Sequence, residues 1–182
     1  MSSGNRAHPS WFPALAGIQA GIVGSLILLA YLALDAGWHS RSVWTIPNLL
    51  SCTFYGESAY IPGFGSRTGA GLALLLFIYG LLGALFGLVT QAQRKRTLVT
   101  VWGVIFAVIW FFLSFRFLWR FIDPMVPIYS PDRAMLAGHF LYGAFLGRLF
   151  PAYLQTLRGD PVLPVIEPAE PQPHSAVEPI TG

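Results

Sequence analysis

Residues 12–34 read FPALAGIQAGIVGSLILLAYLAL and decide the fold class, because this stretch contains no charged side chain. A helix needs about 20 predominantly apolar residues to cross the hydrocarbon core of a bilayer. Residues 68–89 form a second uncharged stretch of that length. Residues 98–119 and 131–150 form a third and a fourth, with Arg116 and Arg148 near their carboxyl ends. The sequence therefore predicts an all-α integral membrane bundle of four transmembrane helices.

The composition agrees with hydrocarbon as the solvent around these stretches. Hydrophobic residues make up 54% of the 182 residues and charged residues only 10%, whereas soluble domains carry about 25% charged residues. The net charge of +3 comes from basic residues scattered around the apolar stretches, so we expect no nucleic-acid partner. Cys52 is the single cysteine, which excludes an intramolecular disulfide and a cysteine-built metal site.

The chain divides into a transmembrane domain, residues 1–158, and a proline-rich tail, residues 159–182. The tail has too little apolar surface to offset its ordering entropy, so we expect it to be disordered or extended.

Arg94, Lys95 and Arg96 form the densest basic group in a short connection, and such groups stay in the cytoplasm. Both termini are then predicted to be cytoplasmic, although five arginines fall on the outer side: Arg41, Arg67, Arg116, Arg120 and Arg133.

The starts of the spans and the first outer loop carry local signals. Ser66 and Ser130 stand just before the second and fourth spans and are candidate N-caps. Residues 36–65 form a long connection in which four apolar residues fall at helical spacing: Ile46, Leu49, Leu50 and Phe54. This spacing predicts either a short helix lying flat on the membrane or an aromatic loop packed over the bundle.

The second and fourth spans share a short motif. Residues 77–80 read FIYG and residues 140–143 read FLYG, each at a similar distance beyond its serine. A duplicated helical hairpin, related by an axis along the membrane normal, would produce this pattern. Coincidence is the alternative, because these residue types are common in membrane helices.

Small residues recur at helical spacing on three of the spans. In lipid, close backbone approach rather than hydrophobicity drives helix pairing, so such faces predict helix–helix contacts. Internal packing is one interpretation, and a seam for another subunit is the other. The predicted packing positions are Gly17, Gly21 and Gly24 in the first span, Gly80, Gly83 and Gly87 in the second, and Gly143 and Gly147 in the fourth.

Ionisable residues collect at the outer ends of the spans. Arg116 and Arg120 are one turn apart and project from one face. Charge near hydrocarbon is costly unless it is paired or reaches the headgroups, so we expect Asp35 or Asp132 to pair with Arg116. The alternatives are arginines that extend to the headgroups, or an anion or lipid-headgroup site.

Two polar residues lie within the spans, His139 in the fourth and Gln19 in the first. Histidine can bind haem, pigment or metal or relay protons. The simpler prediction is a hydrogen bond from His139 to a neighbouring helix, through Gln19 or Tyr79. Gln19 is likewise predicted to bond between helices. The sequence requires no cofactor.

Three features together resemble small bacterial inner-membrane proteins of unknown function. They are a glycine-rich first helix, a Trp-Pro-Asn-Leu-like loop and a final helix with His-x-x-Tyr-Gly. The residues that carry the resemblance are Gly17, Gly21 and Gly24; Trp44, Pro47, Asn48 and Leu49; and His139, Tyr142 and Gly143. The resemblance implies a four-helix inner-membrane fold and no activity.

Catalytic signatures such as a nucleophile elbow, a P-loop or a paired-histidine zinc motif do not occur in the sequence. We therefore expect no enzyme. The leading hypothesis is an accessory or structural subunit that packs against other membrane-protein subunits or against itself. A small-solute transporter or channel is the second hypothesis, and a protein that binds a cofactor through His139 is the third.

Overall fold

The computed structural model describes residues 11–57, 60–61, 63–93 and 95–159, and these residues form helices and connections without a strand. The predicted tail beyond Gly159 and the basic residue Arg94 lie outside the described residues. The helices are α1 (Phe12–Trp38), α2 (Thr45–Tyr55), α3 (Thr68–Thr90), α4 (Arg96–Leu113), α5 (Trp119–Ile122), α6 (Met125–Tyr129) and α7 (Asp132–Arg158). A π-helical turn, Ser114–Leu118, joins α4 to α5.

Three helices are long and apolar enough to cross a membrane: α1, α3 and the continuous helix Arg96–Ile122. The all-helical prediction is confirmed, and these three helices coincide with the first three predicted spans. The last helix, α7, has 27 residues, as many as α1. Its average hydrophobicity is lower because it contains more charged and polar residues than α1: Asp132, Arg133, His139, Arg148, Gln155 and Arg158. A fourth span therefore stays a prediction, as does the duplication of two hairpins.

The described helices pack in the order α3, α1, α7, α4. α1 packs against both α3 and α7, α7 packs against α4, and α3 and α4 scarcely touch. Helices α1 and α7 thus occupy the centre and the other two long helices flank them.

Glycines bring the long helices together at backbone distance. A Cβ atom added at Gly83 of α3 would overlap the carbonyl oxygen of Gly17 in α1, and one added at Gly17 would overlap that of Gly83. On the other side of the fold, Gly143 of α7 meets Gly103 of α4 in the same way. A Cβ atom at Gly80 would make only ordinary contact, 3.5 Å from Cγ1 of Ile22.

The remaining predicted glycines also lie in internal contacts. Gly21 faces α3, Gly87 faces the carbonyl of Pro13, Gly147 faces α4, and Gly24 is covered by the ring of Tyr142. These glycines therefore lie in helix–helix contacts within the chain. None of them is left exposed as the seam for another subunit that was the alternative interpretation.

The connection between α1 and α3, which the sequence predicted as an outer loop, contains the short helix α2, which packs over α3 with residues 46–52 buried. Both sequence interpretations are correct in part, because the segment is helical and also covers the bundle. Asn48 of α2 holds the following loop against the helix by hydrogen bonds. Its amide Nδ2 donates to the carbonyls of Ile61 (2.6 Å) and Gly63 (2.8 Å). Its Oδ1 accepts from the hydroxyl of Thr68 at 2.7 Å.

The predicted serine caps are wrong. α3 begins at Thr68 without a side-chain cap from Ser66. There, Oγ1 of Thr68 accepts the N–H of Gly65 at 3.0 Å, because its proton is directed to Asn48. α7 begins at Asp132 without a side-chain cap, and the buried hydroxyl of Ser130 has no hydrogen-bond partner in the described structure.

Replacing Asn48 by alanine should destabilise the protein by about 1–1.5 kcal/mol. The change removes three hydrogen bonds, but water at the loop can replace part of them. Reversible unfolding of Asn48→Ala in detergent measures the loss. Ser51→Ala, which removes one local hydroxyl bond on the same helix, is the control and should cost less. Equal losses in the two variants would contradict this role for Asn48.

Candidate functional site

Three polar side chains meet in the apolar interior between α3 and α7. His139 and Tyr142 lie one turn apart on α7, and Tyr79 reaches them from α3. The hydroxyl of Tyr79 lies 2.8 Å from Nε2 of His139, and the hydroxyl of Tyr142 donates to the carbonyl of Tyr79 at 3.1 Å. All three residues are at least 90% buried. We call these three residues the interior polar cluster.

The proton positions in the interior polar cluster follow from the partners. Nδ1 of His139 lies 2.7 Å from the carbonyl oxygen of Met135, which can only accept. Nδ1 therefore carries a proton. Burial without a charged partner disfavours a second proton, so Nε2 is an acceptor and the hydroxyl of Tyr79 donates to it. The imidazole is neutral with both nitrogens engaged. Of the two partners suggested by the sequence, Gln19 and Tyr79, the geometry gives Tyr79.

Aromatic rings enclose His139 on the side of α4. The ring centroids of Phe111 and Phe115 lie 5.2 and 6.5 Å from that of His139. Phe115 belongs to the π-helical turn, an irregularity frequent at functional sites. A cavity of about 30 Å³ adjoins the histidine and the buried hydroxyl of Ser130, which is room for about one water molecule. A haem or metal at Nε2 would first have to displace Tyr79.

The other polar residue within a predicted span is Gln19, and unlike His139 it lies on the protein surface. Its side chain is exposed on α1, and no hydrogen bond joins it to any other described residue. Leu26, two turns further along, is exposed on the same face at 49% of its surface. The predicted hydrogen bond between helices of one chain is therefore not made by Gln19.

The ionisable residues at the carboxyl end of α1 and around α5 and the start of α7 divide into two groups. The carboxylate of Asp35 is paired with Arg41 and also approaches His39 at 3.4 Å. The predicted pair with Arg116 is not formed, because Arg41 lies in the turn that directly follows α1. Arg116, Arg120 and Asp132 instead line a shared cavity with Arg133.

Sequence reasoning missed two buried polar residues, Asn48 and Asp123. Asn48 was noted only as part of the loop motif, although its amide bonds to three separate residues. Asp123 begins α6 by accepting the N–H of Met125 at 3.1 Å, and burial raises the pKa of its carboxyl. The Asp-Pro-Met sequence at this point is the signal that would have identified the second of these residues.

No protein-family model, no curated protein and no solved structure matches this chain. Its function therefore has to be argued from the arrangement of its own side chains.

Proposed function

We propose that this chain is a four-span integral membrane protein that serves as an accessory subunit, packing laterally against another membrane-protein subunit through the exposed face of α1. The proposal places α7 across the membrane as the fourth span, with both termini in the cytoplasm. A bacterial inner membrane is the location that the resemblance implies.

The position of α7 in the bundle supports a fourth span. It packs between α1 and α4, which belong to two of the apolar spans. Its polar side chain at mid-length, His139, is buried and hydrogen-bonded, so it is not presented to lipid. Arg148 is exposed and near the cytoplasmic end, where a long side chain can reach the headgroups.

The exposed position of Gln19 on α1 is the observation that carries the accessory-subunit proposal. It lies seven residues into α1, about 10 Å along the axis and within the hydrocarbon thickness. A glutamine side chain is too short to reach water from there. An amide facing lipid leaves its donors and acceptor unpaired, whereas a polar group on a neighbouring protein helix would satisfy them.

The transporter hypothesis has less support from the interior. Transport requires polar groups that line a path, but Tyr79, His139 and Tyr142 engage one another and their surroundings are apolar. The adjoining cavity of about 30 Å³ is too small for a solute larger than water.

Photocross-linking in native membranes tests the accessory-subunit proposal. A cross-linker placed at Leu26, on the face of Gln19, should yield one discrete adduct with an unlike protein after gentle detergent extraction. A cross-linker at Ile109, which is exposed on the flanking helix α4, is the control and should give lipid adducts alone. Differently tagged copies of the chain separate self-association from an unlike partner.

The variant Gln19→Leu should reduce that adduct roughly threefold to twentyfold, because interhelical bonds in lipid are worth about 0.6–1.7 kcal/mol. Gln19→Asn should retain most of it. Ile109→Ala, at an exposed position on the flanking helix α4, controls for a general change of surface. A monomer in gentle detergent with an adduct yield indifferent to Gln19 would disprove the proposal.

A further inference from the structure

A cavity of about 360 Å³ lies between the end of the π-helical turn, α5 and the first turn of α7. Three arginines line it, Arg116, Arg120 and Arg133, together with one acidic residue, Asp132. We call it the arginine cavity. All four charged side chains are exposed, so a ligand can reach them without any rearrangement of the core.

The charge of the arginine cavity is not neutralised by an ion pair among the described residues. Among the described residues, the salt bridges join Asp35 to Arg41 and His39, and none involves an arginine of this cavity. One carboxylate and three guanidinium groups leave an excess of two positive charges. An anion of matching charge would therefore have to come from outside the chain.

The depth of the arginine cavity places it at the membrane boundary. Arg116 follows Arg96 by twenty residues of continuous helix, about 30 Å, which equals the thickness of the hydrocarbon core. Lipid phosphates lie at this depth. Unpaired charge so close to hydrocarbon is costly, and a phosphate group would remove that cost.

The rest of the lining is apolar. Phe111, Phe112 and Phe115 form one wall, and Phe112 is 51% exposed at the outer edge. An apolar chain attached to the ligand can leave the cavity over this edge into the surrounding lipid. The cavity thus combines a charged half with an aromatic half, which suits an amphiphile rather than a free ion.

We propose that the arginine cavity binds a phosphate monoester carried on an apolar chain. Arg116, Arg120 and Arg133 hold the phosphate oxygens, since guanidinium groups bind phosphate with paired hydrogen bonds. A phosphate monoester carries up to about two negative charges, which matches the excess positive charge. The apolar chain lies over Phe112.

The experiment measures thermal stabilisation of the full chain in a neutral detergent. Dioctanoyl phosphatidic acid should bind about tenfold more tightly than dioctanoyl phosphatidylcholine, whose phosphate has a single charge and a bulky cation. Inorganic phosphate forms the second arm. If inorganic phosphate binds as tightly as phosphatidic acid, the cavity is a phosphate site and its ligand is a soluble phosphate ester. If it binds far more weakly, the lipid is the ligand.

Arginine variants test whether phosphatidic acid binds in the arginine cavity. Arg120→Gln and Arg133→Gln should each weaken phosphatidic acid binding about tenfold, and Arg120→Lys should weaken it less. Arg67→Gln removes an exposed arginine at the same end of the protein, where it covers the ring of Tyr55, and should leave binding unchanged. Unfolding without ligand verifies that each variant is folded. Equal affinity for the two lipids, or equal loss in Arg67→Gln, would overturn the proposal.

Discussion

Replacing Gly83 by alanine should destabilise the fold by about 2–3 kcal/mol, although alanine is the better helix former by about 1 kcal/mol. The added methyl group would overlap the backbone carbonyl oxygen of Gly17, and a built Cβ lies only 2.9 Å from Cα of Gly21. Backbone atoms cannot rotate away as a side chain would. α1 and α3 must therefore separate, which loosens the contact that joins these two spans.

The matched control is Gly80→Ala, three residues earlier on the same helix. Its methyl group would lie 3.5 Å from Cγ1 of Ile22, an ordinary contact. We expect this variant to be neutral or to gain up to about 1 kcal/mol from helix propensity. Reversible unfolding in mixed micelles measures both variants. Similar stabilities for Gly80→Ala and Gly83→Ala would mean that α1 and α3 do not meet at backbone distance.

Replacing Tyr79 by phenylalanine should cost about 1–3 kcal/mol, because it leaves Nε2 of His139 buried without a donor. Apolar residues surround the histidine, and the adjoining cavity has room for only about one water molecule, so water can replace the hydroxyl only in part. The carbonyl of Tyr79, which accepts from Tyr142, is unaffected by the change. Unfolding in mixed micelles again provides the measurement.

A double-mutant cycle separates the hydrogen bond from general packing. His139→Leu alone leaves the hydroxyl of Tyr79 unpaired, whereas the double variant Tyr79→Phe/His139→Leu leaves neither group unpaired. The double variant should therefore lose less than the sum of the single losses, by about 1 kcal/mol or more. Additive losses would show that Tyr79 and His139 do not bond. Such a result would reopen the hypothesis that His139 binds a cofactor.

The two functional proposals concern separate surfaces and can fail independently. The face around Gln19 lies in the first third of α1, whereas the arginine cavity lies between the end of the π-helical turn, α5 and the first turn of α7. Gln19→Leu should leave phosphatidic acid binding unchanged, and Arg120→Gln should leave cross-linking at Leu26 unchanged. An accessory subunit that also holds a lipid phosphate would show both effects, each confined to its own variants.

The first three apolar stretches, two without charge and the third with only Arg116 near its end, were enough to predict three helices of membrane-spanning character. A charge inside hydrocarbon is costly wherever it points, so its absence can be read without knowing the fold. The same reasoning is weaker for α7, where His139 and Arg148 interrupt the apolar residues. Local chemistry was harder to read at helix starts: Ser66 and Ser130 have the right residue type, yet Thr68 takes the interactions around the start of α3.

What the sequence determined by itself is the presence of helices long and apolar enough to cross a membrane, through the length of its apolar stretches. Only the tertiary structure decided how each helix is rotated about its axis: Gly83 towards Gly17, His139 towards Tyr79, Gln19 away from the other helices. The physical reason is that lipid and protein interior are similarly apolar, so a membrane helix has hydrophobic residues on every side. Its buried face is set by close packing and hydrogen bonds between segments distant in the chain.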